Sequence, residues 1–203
     1  MSDSTIIHNT FSYPTFHGSM LETEIIRLVP PSDKHAELVA AWRNDPKVYN
    51  GFIEYVPTNA EQQRAFFAGL RNHTSRMVWI IEHRPASAYD PWIPIGSVGL
   101  IDIDIRNRHC EFGPIYIGNH DYRGKGLAME AEQLVIAYAF DHLGMHRVYA
   151  HTTVSNEAVV AFHERAGFHR ESILKDHILR YGTFEGVHLL AILETDDRPR
   201  LGK

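Results

Sequence analysis

The chain has 203 residues, 44% hydrophobic and 22% charged, which suits one globular domain able to bury a core without metal or disulfide staples. A net charge of −5, from 20 Lys and Arg against 25 Asp and Glu, is the wrong sign for a dedicated nucleic-acid binder. No window reaches the roughly eighteen apolar residues of a membrane span, the N-terminus lacks the pattern of a secretory signal, and the lone Cys110 excludes an intramolecular disulfide, so a cytoplasmic protein is expected.

Residues 1–23 read as an irregular arm rich in Ser, Thr, Phe, Tyr and His. A strand over 24–29 ends at Pro30-Pro31, and Ser32 or Asp33 caps a helix that stops before Pro46. A second helix follows over 60–70 and a strand over 77–82, while Pro85, Pro91 and Pro94 make 84–94 a loop. Segments 95–105 and 109–117 form a hairpin, and a long helix runs from Gly124 to about His142 with Leu127, Ala131, Leu134, Val135 and Tyr138 at helical spacing. A strand over 147–153, a short helix over 156–166 and strands over 173–179 and 186–193 complete the domain before a charged tail, 194–203. The 14 histidines form no tract. His142 and His146 straddle Leu143-Gly144, where the long helix should end, so no metal site is expected.

Chemistry concentrates in Tyr116–Ala128, YIGNHDYRGKGLA. Gly124 and Gly126 clear side chains from the start of the long helix, and its exposed N–H groups, helix dipole, Arg123 and Lys125 together suit a pyrophosphate. A tight loop with solvent-facing cations is the other reading, and the pattern completes neither a Rossmann nor a Walker fingerprint. Thirty residues on comes Asn156-Glu-Ala-Val-Val-Ala-Phe-His-Glu-Arg-Ala-Gly167-Phe168.

A strand before each of these segments, then R/Q-x-x-G-x-G/A at one helix start and N-x-x-A…G-F around the next, resembles the GNAT superfamily of acetyl-CoA-dependent N-acyltransferases. RLVPPSD…WRNDPKV, CEFGPIYIG and ILKDHILRYGTFEGVHLLAIL are similar to its RimJ/RimL-type branch, a look shared with spermidine and amino-sugar-nucleotide N-acetyltransferases. The resemblance covers about residues 24–193 and is strongest over 109–193. It implies an α/β (α+β) fold: one domain over 24–193, with a mixed sheet of about six to seven strands splayed at a bulge and about four flanking helices. The backbone of Arg123, Gly124, Lys125, Gly126, Leu127 and Ala128 would hold the CoA pyrophosphate, and the strand Ile115, Tyr116, Ile117 would pair with the pantetheine. Asn156 would meet the pantetheine or cap its helix, with Phe162 nearby on the cofactor side.

Direct attack on a thioester needs a neutral amine, a base to remove its proton, an acid for the leaving thiolate and an N–H for the oxyanion, here from Tyr116 or Ile117. Glu111, on the bulged strand and matching the family's acidic E-F/I-G position, is the first base candidate; His151 is the second. Pro114 should mark the bulge, because it cannot donate a ladder bond. His163 stands where many relatives carry a tyrosine acid, on a helix face shared with Val159, Phe162 and Ala166, and is either the acid candidate or a satisfied core histidine. Cys110 should point into the core, which argues against an acyl-cysteine.

The implied activity is acetyl transfer from acetyl-CoA to a primary amine, the acceptor a polyamine or an amino-sugar nucleotide. Trp42, Arg43, Asn44, Asp45, Tyr49, Phe52 and the 84–94 loop with Trp92 would wall the acceptor. Protein N-terminal acetylation of the ribosomal-protein type and a non-catalytic acyl-CoA-binding module are the alternatives. A homodimer is compatible with the sequence.

Overall fold

A computed structural model describes residues 21–200 apart from residues 71, 86 and 88. Of the 1–23 arm, only residues 21–23 are therefore described. Leu21 is buried there, and Glu22 bridges to Arg27.

The strands are β1 (Ile26–Val29), β2 (Met77–His83), β3 (Ile93–Asp104), β4 (His109–Phe112), β5 (Tyr116–Ile117), β6 (Arg147–Thr153), β7 (His169–Arg180) and β8 (Thr183–Leu193). The helices are α1 (Ala36–Arg43), α2 (Pro46–Tyr49), α3 (Ala60–Leu70), α4 (Leu127–Asp141) and α5 (Glu157–Arg165). The sheet runs β1-β2-β3-β4-β6-β8-β7, with β5 as a further partner of β3. Most pairings are antiparallel; β4 and β6, joined through α4, are parallel. None of the described helices is long and apolar enough to cross a membrane.

Two apolar layers cover the sheet. Against one face, α4 buries Ala131, Val135, Ile136 and Tyr138 on Trp79, Leu100, Phe112, Val148 and Leu190. Each such large side chain contributes about 1.5–3 kcal/mol when removed from water. Against the other face, α1 and α3 bring Trp42, Val39 and Phe67 onto Ile80 and Tyr116.

Several boundaries depart from the sequence expectation for identifiable reasons. The one-turn helix α2 begins at Pro46, with Pro at its first position and the Asp45 carboxylate accepting from the Lys47 N–H at 2.8 Å. Ile93 and Pro94, expected in the loop, open β3. Pro94 lies opposite Glu82, where the register slips, so the ladder tolerates its missing N–H. The edge strand β7 is longer than expected because it is exposed along most of its length and carries no apolar alternation.

The decisive feature is the interruption between β4 and β5. β4 pairs with β6 only from His109↔Arg147 to Glu111↔Tyr149. The chain then passes through Gly113 and Pro114 and resumes as β5, which holds to β3 but not to β6. The expected single strand over 109–117 is therefore two, and the sheet opens beyond Glu111. Pro114 sits in the interruption, as its missing donor requires.

Candidate active site

On one side of the opening lies the loop leading into α4. Gly124 and Gly126 have φ of +72° and +82°, and α4 begins at Leu127 rather than Gly124 because Gly126 occupies the N-cap in a left-handed conformation. The first-turn N–H groups of α4 thus face a segment without side-chain cover. Arg123 does not point into solvent: its Nε donates to the Ile117 carbonyl at 2.9 Å and its Nη1 to the Lys47 carbonyl at 3.3 Å. It fastens the loop to β5 and α2, a fastening doubled by His120 on Asp45 at 2.5 Å. Lys125 is exposed, with its ammonium 5.1 Å from the centre of the Tyr122 ring. Leu127 is buried in the core and Ala128 packs against it.

β5 lines the opening. Gly118 N–H donates to the Ile95 carbonyl at 2.9 Å, so alternation turns the polar backbone of Tyr116 toward β3 and that of Ile117 away from it, toward the gap. Of the two oxyanion candidates, Ile117 has the N–H with that orientation. Tyr116 is buried against Trp42 and Phe52, and burial pushes its hydroxyl up to about 12. Ile115 packs against the main core. Asn156 occupies the N-cap of α5 but makes no side-chain cap bond, so its amide is not spent on the helix.

Glu111 and His151, separate base candidates in the sequence, meet in the structure. The Nδ1 of His151 lies 3.1 Å from Oε1 of Glu111, with side-chain exposures of 23% and 16%, so the pair is sheltered yet reachable. Cys110, Phe112, Val148 and Ala150 enter the α4 core, which places Glu111, Tyr149 and His151 on the opposite face. Burial first, then the charges of Glu111 and Asp102, push the Tyr149 hydroxyl up to about 12. Asp102 therefore belongs to this acidic side; no pattern in the sequence marked it, because a β-bulge brings it there. Burial, with Glu111 adding to it, raises the Cys110 thiol to about 12, the inert state expected of a core cysteine.

His163 lies on the α4 side. Its Nδ1 is 2.6 Å from Oε1 of Glu132, and the two side chains are 5% and 0% exposed. The ring packs on Phe112, Phe162 and Phe168 at centroid distances of 5.4–5.7 Å. Burial pushes the Glu132 carboxyl above the usual carboxylate range, although the His163 ring opposes the shift. The sequence reading missed Glu132. Its signal was position: it lies in register with Ile136 and Ala139, on the buried face of α4.

The expected acceptor walls divide. Trp42 is core, and a Cβ at Gly118 would stand 2.2 Å from its ring. Arg43 lies over Phe52 at 5.3 Å. Tyr49 stacks on Tyr55 at 4.0 Å, and Asn44 brackets Thr58 with bonds of 2.7 and 3.1 Å, so both shape the 50–58 loop. Trp92 is not brought to this side: it sits between the guanidinium groups of Arg27 and Arg84, at 4.6 and 4.4 Å, by the β1 edge. From the other half of the sheet, Arg180 donates to the carbonyls of Asn50 and Phe52, so the β7–β8 end joins the 50–58 loop across the opening.

The sequence and the fold are similar to those of known proteins. A family model described as the acetyltransferase (GNAT) domain matches residues 26–169. A probable N-acetyltransferase, YjcK, of Bacillus subtilis is 38% identical over 103 residues, 51% of this chain and 56% of that protein. The spermidine N(1)-acetyltransferase of Vibrio cholerae is 33% identical over 101 residues, 50% of this chain and 57% of that protein. The matches thus span little more than half the length of these curated relatives. The crystal structure of spermidine N-acetyltransferase from Vibrio cholerae in complex with CoA and spermine superposes with a TM-score of 0.74 at 22% identity, covering 84% of this chain and 96% of that one. This last likeness concerns the fold.

Proposed function

Because the chain belongs to the GNAT acetyltransferase domain family, we propose that it transfers acetyl from acetyl-CoA directly to the nitrogen of a small cationic amine. The observation that carries this reading is the Glu111–His151 pair, sheltered where the sheet opens. In the mechanism we propose, the CoA pyrophosphate rests on the N–H groups around Gly124–Ala128 with Lys125, and Arg123 keeps that loop in register with β5. The pantetheine lies along the free edge of β5, which brings the thioester into the gap. The amine approaches from the face of Glu111 and His151; the pair takes its proton as nitrogen attacks, and the Ile117 N–H receives the developing oxyanion.

For the acceptor, a polyamine is favoured over an amino-sugar nucleotide. Carboxylates gather on this face at Glu111 and Asp102 around Tyr149. Two neighbouring cations are engaged, Arg147 by Glu171 at 2.6 Å and Arg180 by the 50–58 loop, while Arg43 lies over the Phe52 ring. A cationic chain therefore meets complementary charge at these carboxylates. Spermidine, the acceptor in the name of the Vibrio cholerae relative, is of this class.

The test is thiol release from acetyl-CoA with spermidine, an amino-sugar nucleotide and a short peptide with a free N-terminus. Release with spermidine, reduced on the order of a hundredfold in Glu111→Gln, is expected. Release with the peptide alone would move the acceptor to protein N-termini. Acetyl-CoA-dependent thermal stabilisation without release from any amine would leave a non-catalytic acyl-CoA module.

A further inference from the structure

We infer that Glu132 is a positioning residue that holds a proton together with His163, so that His163 Nε2–H protonates the departing CoA sulfur. This rests on the acetyl-transfer reading above. Four observations carry it. The two side chains are buried and joined at 2.6 Å through Nδ1, which leaves Nε2 as the ring nitrogen Glu132 does not use. The ring is clamped by three phenylalanines, one of which, Phe112, is the last residue of β4 before the sheet opens. His163 therefore sits behind the opening on the face opposite Glu111 and His151, so donor and acceptor of protons flank the thioester from two sides. The second carboxylate oxygen of Glu132, Oε2, is buried without a hydrogen-bond partner.

A core that needed only filling would be served as well by apolar residues, since buried ion pairs are weak sources of stability. A bare anion with one unpartnered oxygen is also costly, so the pair retains a proton. Wherever that proton sits between Oε1 and Nδ1, Nε2 keeps its hydrogen. Arg165 of α5 adds a positive charge acting on Glu132. Other titratable groups on this side of the sheet, among the described residues, include Cys110 of β4 and Tyr138 of α4, both buried, and His188 of β8, 3.4 Å from Glu157.

The proton balance closes. As the amine nitrogen bonds to the carbonyl carbon, its proton passes to the Glu111–His151 pair. When the C–S bond breaks, its electron pair stays on sulfur and Nε2 delivers a proton there, giving the free thiol. The Glu132–His163 pair then regains a proton from solvent, and the base pair releases one.

Two measurements test this. In Glu132→Gln, turnover at pH 8 falls about tenfold and the alkaline limb of the kcat profile moves down by about one pH unit, while KM for acetyl-CoA stays within about twofold. An unchanged limb, or a rise in KM alone, would overturn the role. Independently of any variant's folding, histidine 15N spectra of the parent should show a protonated, pyrrole-type Nε2 on His163 at pH 7.5, the resonance being the one lost in His163→Phe. A pyridine-type, unprotonated Nε2 would refute the pair. If the parent releases no thiol with any amine, the acetyl-transfer reading fails, and the spectra judge the proton-holding pair alone.

Discussion

Gly96 offers the sharpest test of how β5 is held. A Cβ built there would stand 2.1 Å from the Tyr116 carbonyl oxygen and 3.1 Å from Ile117 Cα, both backbone atoms that no rotamer change can move. An ordinary C···O contact is about 3.3 Å, so in Gly96→Ala β5 must retreat from β3 by roughly 1.2 Å. The two strands pair at Gly96↔Ile117 and Ser97↔Tyr116, beside the Gly118 and Asn119 N–H bonds to the Ile95 carbonyl, and a retreat of that size breaks the hydrogen bonds of the Ser97–Tyr116 pair. Two lost bonds at about 1 kcal/mol each, with about 1–2 kcal/mol of overpacking, predict a loss of roughly 3–4 kcal/mol. For a chain of this length that is a fall in Tm of roughly 6–16 °C. The Ile117 N–H moves with the strand, so turnover should fall a further tenfold to about a hundredfold at temperatures where the variant is folded. Gly69→Ala is the control: it lies exposed in α3 with nothing within 4 Å of the added carbon, and should raise stability by about 0.5–1 kcal/mol. Thermal melts and steady-state thiol release on the two variants suffice. A Gly96→Ala protein melting within about 2 °C of the parent would refute the rigidity assigned to β5.

Glu82, buried beside Arg27 at 2.7 Å, carries a pH prediction. Burial alone would raise its carboxyl, but contacts with His35 and Arg27 outweigh it and hold the group below the usual carboxylate range. Its contribution is thus present above the unfolded value near ~4.3 and disappears as pH falls through the lower folded value. Glu82→Gln should melt lower at pH 7 and lose less Tm between pH 6 and pH 3; parallel curves would contradict the assignment. Cys110→Ala should keep full turnover, and folded but inactive protein would point to an acyl-cysteine. Gly126→Ala, at φ +82° with open space around it, should lose about 1 kcal/mol from backbone strain, and Gly126→Asn less; equal melts would mean the loop relaxes.

Much of the molecule was legible from local chemistry. Helix α3 and strand β6 occur at the residues their patterns predicted, because each pattern reports burial of one continuous face. The glycines before α4 announced a side-chain-free helix start, and Pro114 marked the interruption, since a missing N–H is a property of the residue itself. Resemblance in those same segments pointed to the family that residues 26–169 match.

Other features depended on contacts between distant parts of the chain. Helical spacing turned His163 inward, but only folding set Glu132, 31 positions away, against it. Glu111 and His151 were separate candidates on two strands; their pairing required the parallel register of β4 on β6. Arg123, expected to meet an anion, spends its guanidinium on the carbonyls of Ile117 and Lys47, which only tertiary packing brings within reach. Trp92 went to two arginines at the β1 edge for the same reason. Local sequence determines which backbone shape a segment prefers and which face it buries. Which charged group finds which partner is decided by the approach of segments tens of residues apart, and no single segment encodes that.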